Sequence, residues 1–404
     1  MNPVPVRGLP SGAPAFRASL TRIWPDGLED PVVEVLPRSR WAFGDYVVGE
    51  VEKVWGGRSV ELADGREVPL TPGDFVIGAL GSRFATLEAT GSWEDVRADG
   101  VFHLLSGGGI FGRVRSISSL LVPLVQLRYT GHAMDGAEKR TMQGCARRFP
   151  PASVSSGAEA GVEAEAGAST SVGAPGISGT PPGSGASGAG AVGTPVVLLT
   201  GSSMSAGKTT AARVVVRRLR GMGLRVVAAK LTGAGRYRDI LAMRDAGAEA
   251  IFDFVDAGLP STYCPAPDFR AAAERILAGI EDVGADVAVI EIGASPLEPY
   301  NGTSAVALLR DRIRFHILCA SDPYAVVGVL QAYGVVPDLV TGTTSNTEAG
   351  VQLVDRLTGL RALDVRLPSA MPDLDAALRS ALGVDGSLPG GGLAGGGLAD
   401  GENG

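Results

Sequence analysis

One segment of the chain combines the residue types and the spacing that hold a row of phosphates. It reads P-V-V-L-L-T-G-S-S-M-S-A-G-K-T-T and runs from Pro195 to Thr210. A Gly-rich turn between an apolar strand and a helix directs several backbone N–H groups at one anion. The segment therefore predicts a phosphate-binding loop of the Walker A type. The alternative is an ordinary helix N-terminus that spells G-K-T-T.

The residue types in this loop suit the parts of a nucleotide. Lys208 is expected to bridge the outer phosphates, and the Thr209 hydroxyl is expected to complete the shell of a Mg²⁺ ion. The strict motif has a glycine at the position of Ser202, whereas here Gly201 stands one place earlier. The predicted nucleotide-binding residues of the loop are Gly201, Ser203, Met204, Ser205, Ala206, Gly207, Lys208, Thr209 and Thr210.

Two further charged residues end apolar segments that fit strands beside the first one. Lys230 ends R-V-V-A-A-K, and Glu291 ends A-D-V-A-V-I-E. An ammonium at a strand end can approach a γ-phosphate, and an acid there can hold Mg²⁺ through its water shell. The chain has only four lysines against 32 arginines, so generic positive charge comes from arginine. The alternatives are a surface lysine and a buried structural carboxylate.

Asp253 and Asp256, in I-F-D-F-V-D-A-G, are weaker candidates. A carboxylate here can supply a second metal contact, or it can cap a helix or turn, and the sequence leaves both open. The predicted metal site consists of Thr209, Glu291 and Asp253.

The segment G-R-Y-R-D follows Lys230 closely and concentrates charge. Arg236, Arg238 and Asp239 can clamp an acidic substrate near the lysine. They also fit the start of a solvated helix, and the sequence does not decide between the two.

The elements around these residues change character along the chain. After residue 194, apolar strands alternate with amphipathic helices, a rhythm that predicts a doubly wound, mostly parallel α/β sheet. The predicted strands are 195–200, 225–231, 287–292, 315–320 and 338–341, with 363–367 as a further candidate. Predicted helices begin at Thr209 and Asp268.

Before residue 151, short β-type segments alternate with turn signals and predict a small all-β, barrel-like domain. Within it, 59–70 is expected to form a hairpin with Asp64-Gly65 at its tip. The Gly-rich run 106–112 lacks a following Lys-Ser/Thr, so we expect a tight turn or a bulge there and not a ligand loop.

The composition divides the chain into four parts. Residues 151–194 are dominated by Gly, Ala, Ser and Pro, which cannot bury enough apolar surface to order the chain. We expect domains at 1–150 and 195–385, a disordered linker at 151–194, and a disordered Gly-rich tail at 386–404.

Charge and cysteine content narrow the classes of function. The formal net charge is −7, which disfavours nucleic-acid binding, and the three cysteines form no C-x-x-C pair. The N-terminal residues do not resemble a signal peptide, and no run has the length of a bilayer-spanning helix. We expect a cytoplasmic protein that binds a small anionic molecule and no membrane; a monomer and a homo-oligomer both stay open.

The offset between Gly201 and G-K-T resembles that of dethiobiotin synthetase and related amide-forming ATP enzymes. The lysine after the second strand in that family is similar in place to Lys230, and the glutamate of its E-G-x-G segment is similar to Glu291. The resemblance implies an ATP and Mg²⁺ site on these residues.

A second likeness is to a bacterial P-loop family that includes D-glutamate N-acetyltransferase. Its E-G-Q-G-S-L-x-H-P segment is similar to E-I-G-A-S-P-L-E-P, which starts at Glu291. Its N-T after a late strand is similar to Asn346-Thr347, which implies that Asn346 joins the nucleotide-binding residues. The resemblance covers about 195–368. Ile292 and Glu298 depart from the family Gly and His, and the β domain differs from the α/β domain expected there.

Three functions fit these residues. The first, which we predict, is an enzyme that uses ATP and Mg²⁺ to phosphorylate or otherwise activate a small carboxylate or amino-acid-like substrate, with Lys208, Lys230 and Glu291 as catalytic residues. The second is a nucleotide-dependent switch or assembly factor whose β domain binds a partner. The absence of N-K-x-D favours adenine or loose base choice over guanine. The third, binding of an acyl-CoA phosphate, is implied only by the acetyltransferase likeness.

Overall fold

The computed structural model describes residues 4–5, 7–9, 14–25, 31–150 and 193–384. The predicted linker lies outside them except for Gly193 and Thr194, and the predicted tail 386–404 lies outside them entirely. The described chain forms a β-rich N-terminal domain followed by an α/β domain with a parallel sheet, which confirms the predicted fold class. Within these ranges, no helix has the length and apolar sequence that crossing a bilayer requires.

The N-terminal domain is built almost entirely from strands. In chain order they are β1 (Val4–Pro5), β2 (Pro14–Arg17), β3 (Val32–Glu34), β4 (Tyr46–Lys53), β5 (Ser59–Glu61), β6 (Glu67–Pro69), β7 (Phe75–Leu80), β8 (Ser82–Phe84), β9 (Ala89–Ser92), β10 (Val101–Ser106), β11 (Ile110–Ile117), β12 (Gln126–Asp135) and β13 (Glu138–Lys139). Single 3₁₀ turns lie between some of them.

Five of these strands close into a barrel. They follow the order β7-β4-β12-β10-β11, and β11 returns to pair with β7, so the path has no free edge. The rings of Phe102 and Phe111 are fully buried, with centroids 4.9 Å apart. The predicted hairpin is present as β5 and β6, and the Gly-rich run 106–112 forms the turn between β10 and β11 beside a bulge.

The C-terminal domain alternates strands and helices. Its strands are β14 (Val196–Gly201), β15 (Val226–Thr232), β16 (Ala250–Asp253), β17 (Val287–Ile292), β18 (Ile313–Cys319) and β19 (Leu339–Thr341). Its helices are α1 (Lys208–Gly221), α2 (Tyr237–Asp245), α3 (Ala266–Val283), α4 (Gly302–Leu309), α5 (Pro323–Tyr333), α6 (Glu348–Thr358) and α7 (Met371–Leu382).

The six strands form one parallel sheet in the order β16-β15-β17-β14-β18-β19. Alternate residues of each strand face opposite layers of helices. On β14, Val197 and Leu199 pack in the same apolar cluster as α1, α2 and α7, whereas Val196 and Leu198 join the cluster of α3 and α4. Burial on both faces explains why these strands read as continuous apolar runs.

Two strand predictions need correction. β16 was not predicted, because four residues that end in an aspartate resemble a turn more than a strand. The candidate strand 363–367 is absent from the described sheet: Ala362 makes a single bridge to Val340, and Asp364 and Arg366 then pair with each other across a turn. The alternating L-D-V-R-L pattern reflects that local ion pair and not a sheet face.

The two domains share a core. Leu20 and Tyr46 of the β domain belong to the same buried apolar cluster as Phe254 and Leu259 of the α/β domain. Arg22 extends from the β domain to Asp253 and Asp256; both aspartates are buried, and the Arg22 side chain is only 9% exposed. The sequence predicts two domains but gives no sign of this extensive contact between them.

A buried histidine makes the fold sensitive to acid. His316 lies on β18 with its Nε2 2.8 Å from the Thr200 hydroxyl oxygen. Burial lowers its pKa from 6.5 to about 4, so the folded protein holds the ring neutral where the unfolded chain already binds a proton. The free energy of unfolding should therefore fall as pH decreases from 6.5 to 4, by roughly 3 kcal/mol over the full window.

We expect His316→Gln to reduce this slope while keeping a polar partner for Thr200. Urea unfolding of the wild type and the variant at pH 4.5, 5.5, 6.5 and 7.5 measures the slope of the free energy of unfolding against pH. An equally steep slope in the variant between pH 4.5 and 6.5 would assign the acid sensitivity to other groups.

Candidate functional site

The predicted phosphate loop lies between β14 and α1, at the carboxyl edge of the sheet. Gly207 is the N-cap residue of α1 and has a φ of +96°, a left-handed conformation that favours glycine. A Cβ atom on Gly201 would lie 2.8 Å from both Cδ and Nζ of Lys208, so the lysine stem crosses directly over this glycine. The glycine at position 201, one place before its usual position in the motif, thus leaves room for the lysine side chain. The loop keeps the strand, loop and helix arrangement of a Walker A motif.

Lys208 is buried inside the loop that it follows. Its Nζ donates to the carbonyl oxygens of Ser203, at 2.6 Å, and Met204, at 3.4 Å. Burial lowers the pKa of this lysine, and the carboxylate of Glu291 opposes the shift. The ammonium is therefore held where the loop can present it to an anion.

Thr209 and Glu291 meet beside the lysine, as the predicted metal site requires. The Thr209 hydroxyl donates to Glu291 Oε2 at 3.2 Å, and Glu291 stands opposite Leu199 in the register of β14 and β17. Burial raises the pKa of Glu291, and nearby Lys230 opposes that shift. A hydroxyl and a carboxylate are hard oxygen donors of the kind that Mg²⁺ prefers.

Lys230 stands opposite Glu291 on the neighbouring strand β15. Its Nζ donates to Asp239 Oδ2 at 2.5 Å. Burial alone would lower the pKa of Lys230, but Asp239 and Glu291 together raise it, so the lysine is charged. A Cβ on Gly293 would lie 2.5 Å from Lys230 Cε, so this glycine makes room for the lysine at the strand ends.

Asp253 has a different environment from the other predicted metal ligands. Arg22 pairs with it, and its Oδ1 also accepts the N–H of Val255 at 2.9 Å. Burial raises the pKa of Asp253 to about 6. A metal would have to compete with the arginine for this carboxylate. Among the residues that the structure describes, no group of three or more His, Cys, Asp or Glu could hold a metal ion by itself.

Asn346 lies in a small pocket of about 90 Å³ beside Gly207 and Thr210 at the start of α1. Its Oδ1 accepts a hydrogen bond from Arg366 at 2.6 Å, and Arg366 also pairs with Asp364. The sequence missed Asp364 and Arg366 as site residues because their segment resembled a strand.

A larger cleft of about 900 Å³ lies where the β domain faces the phosphate loop. The predicted clamp residues Arg236, Arg238 and Asp239 line it, but the two arginines already pair with a carboxylate of the β domain, and Asp239 pairs with Lys230. Arg236 and Arg238 pair with Glu67 at 2.6 and 2.8 Å, and Glu61 accepts the N–H groups of Tyr237 and Arg238 at the start of α2.

The β domain also contacts the phosphate loop itself. Glu88 accepts a hydrogen bond from the Ser205 hydroxyl at 2.9 Å and forms an ion pair with Arg83. The Nε of Arg83 is buried and has no hydrogen-bond partner within the described chain. Neither residue carries a motif that the sequence could have revealed, since both belong to the site only through the packing of the two domains.

The chain has only a weak likeness to known proteins. No family model matches the chain, and no curated protein matches it. Among solved structures, signal recognition particle receptor FtsY from Elizabethkingia anophelis shares 15% identity at a TM-score of 0.33, over 48% of this chain and 67% of that one. HypB from Helicobacter pylori, in complex with nickel, shares 14% identity at 0.31, over 47% and 87%.

The Signal Recognition Particle 54 kDa protein from Aeropyrum pernix, in complex with GDP, shares 19% identity at a TM-score of 0.28, over 46% of this chain and 49% of its own. The domain has a P-loop NTPase fold on its own features: a parallel sheet, the 201–208 loop, and Lys208, Thr209 and Glu291 grouped at its edge.

The Glu88 carboxylate places a negative charge beside the predicted phosphate loop. Glu88→Gln keeps a hydrogen-bond acceptor for Ser205, removes this charge and releases Arg83 from its ion pair. We expect triphosphate affinity to rise about threefold to tenfold, because less repulsion opposes the incoming anion. Isothermal titration with ATP, with exposed Glu34→Gln as the matched control, measures the change. Weaker binding in Glu88→Gln alone would show that the carboxylate supports the loop.

Proposed function

We propose that the protein is a Mg²⁺-dependent, ATP-binding enzyme that activates or modifies a small carboxylate or amino-acid-like substrate. The observation that carries the proposal is the convergence of Lys208, Lys230, Thr209 and Glu291 at one end of the cleft between the domains. Two buried lysines and a buried acid that face a polar cleft are costly to the fold unless they serve a ligand.

The chain's own groups would divide the work as follows. The backbone N–H groups of 203–209 and the ammonium of Lys208 would hold the phosphates, with phosphate oxygens taking the place of the Ser203 and Met204 carbonyls. Thr209 and Glu291 would hold Mg²⁺, which supplies charge neutralisation when bound. Lys230, kept charged by Asp239, would stabilise charge on the transferring group.

The pocket at Asn346 is proposed to receive the base. Arg366 engages the Asn346 carbonyl oxygen, so the amide N–H₂ is left to donate to a ring nitrogen or carbonyl of the base. The missing N-K-x-D motif favours adenine, whereas Asp364 could also accept N–H groups from guanine. We propose ATP, in line with the resemblance to dethiobiotin synthetase, and we place the protein in the cytoplasm with no nucleic-acid partner.

One observation favours a second function. The Ser205–Glu88 contact joins the β domain to the phosphate loop, and Arg22 joins it to the strand end at Asp253. A nucleotide that rearranges the loop would therefore act on the β domain. A nucleotide-dependent switch or assembly factor, with the β domain binding a partner, is the alternative.

Lys208→Ala tests the nucleotide site. The alanine removes the ammonium from the loop, so we expect ATP affinity to fall about a hundredfold while the melting temperature changes little. Isothermal titration with ATP and with GTP, each with and without Mg²⁺, measures affinity and base choice together. Unchanged ATP affinity in Lys208→Ala would overturn the proposal, and preference for GTP would overturn the choice of adenine.

Glu291→Gln and Lys230→Arg test the enzyme against the switch. Glu291→Gln keeps the shape of the side chain and removes the charge that attracts Mg²⁺. Lys230→Arg keeps the charge, but the larger planar guanidinium cannot approach a phosphoryl group as an ammonium does. We expect Mg²⁺-dependent ATP turnover to fall about a hundredfold with nucleotide binding within a few-fold of the wild type. Wild-type turnover in both variants would favour the switch.

A further inference from the structure

The cleft is lined by more cations than acids although the chain as a whole is acidic. Seven Lys or Arg side chains and three Asp or Glu side chains of the described residues line it, whereas the formal net charge of the chain is −7. Lys208 and Lys230 belong to the proposed phosphate site. The β domain adds Arg58 and Arg83 on the opposite wall. A nucleotide alone does not account for cations on both walls.

Arg58 has no acidic partner within the described chain. Its Nε donates to the Pro123 carbonyl oxygen at 3.0 Å, and its Nη2 donates to the carbonyl of Val122. Partial burial lowers its pKa, and the neighbouring Arg83 guanidinium lowers it further. Glu88, which pairs with Arg83, offsets only part of this repulsion. A second anion between the two guanidinium groups would offset the rest.

An apolar surface adjoins these cations. The loop between β11 and β12 presents Leu120, Leu121 and Val122 to solvent, with exposed fractions of 93%, 38% and 44%. All three line the cleft, and Arg58 holds the carbonyl of the last of them. Three consecutive exposed apolar residues at the rim of a positive cleft form a composite surface, which we term the amphipathic wall: Arg58, Arg83, Leu120, Leu121 and Val122.

We propose that the amphipathic wall binds the acceptor substrate, and that this substrate is an organic carboxylate with an apolar chain. The inference rests on the proposed function and specifies its substrate class. The carboxylate would lie at Arg58 and Arg83 and the apolar chain would cover Leu120 to Val122, so the acid group faces Lys230 and the phosphate loop across the cleft. A volume of about 900 Å³ is that of a small-molecule site.

A chain-length series tests the substrate class. Isothermal titration with acetate, hexanoate, octanoate and hexylamine is carried out on the full chain saturated with a non-hydrolysable ATP analogue and Mg²⁺. Each buried methylene raises the affinity about threefold to fourfold. We therefore expect hexanoate and octanoate to bind at least tenfold tighter than acetate. Hexylamine should not bind, because the wall is cationic. Equal affinity for acetate and octanoate, or binding of hexylamine, would overturn the proposal.

Variants separate the two halves of the wall. Arg58→Gln should weaken octanoate at least tenfold and leave the affinity for the ATP analogue within twofold, whereas the exposed Arg97→Gln in the same domain changes neither. The double variant Leu120→Ser, Leu121→Ser should leave acetate binding unchanged and remove the gain with chain length. If Arg58→Gln weakens analogue and octanoate equally, the arginine belongs to the nucleotide site and the proposal fails.

The two proposals fail in different ways. Absence of analogue binding would contradict the ATP site itself, and carboxylate binding is then measured on the protein without nucleotide. Analogue binding with no carboxylate binding would leave the ATP site standing and overturn the amphipathic wall. Because Arg58 also donates to the carbonyls of Val122 and Pro123, its substitution can displace the 120–124 loop. The leucine variants keep both hydrogen bonds and therefore test the apolar half of the wall with this anchor in place.

Discussion

The ion pairs of Arg22 hold the two domains in the arrangement that creates the cleft. Its guanidinium is buried between Asp253 and Asp256, and burial would lower its pKa if the two carboxylates did not raise it. A buried ion pair adds little net stability compared with apolar packing, but losing one partner leaves charge uncompensated at a cost of about 3–5 kcal/mol. The contact is therefore better suited to fixing orientation than to adding stability, and the two walls of the cleft face each other in that orientation.

The same principle governs the charges around the phosphate loop. The opposite charges of Lys208, Lys230, Glu291 and Asp239 offset one another in part, but burial still lowers the pKa of Lys208 and raises the pKa of Glu291. Burying these groups therefore still costs the fold free energy. Glu61 performs a similar role at the start of α2, where it accepts two backbone N–H groups that would otherwise lack partners. An acid from one domain thus caps a helix of the other, which ties the geometry around Lys230 to the position of the β domain.

The sequence predicts features that depend on neighbouring residues, but it does not predict contacts between residues far apart in the chain. The phosphate loop, Lys230 and Glu291 could be placed because each belongs to a strand-and-turn pattern, and parallel strands bring their carboxyl ends together. Arg22, Arg83 and Glu88 carry no pattern at all. Asp253 is predicted as a metal ligand because it is an acid at a strand end, and the sequence gives no sign that Arg22, 231 residues away, pairs with it. Contacts between domains are the part that local spacing cannot supply.

The contact between domains also links the phosphate loop to the β domain. Glu88 accepts a hydrogen bond from Ser205 of the phosphate loop, and Thr86 of the same segment donates to Glu298, which follows β17. A short segment of the β domain therefore bridges the phosphate loop and the segment that follows Glu291. Any ligand that moves the loop must either break these hydrogen bonds or move the β-domain segment together with the loop. Since the bridge adjoins the wall of the cleft, nucleotide and acceptor would each alter the free energy of binding of the other, and such coupling is reciprocal.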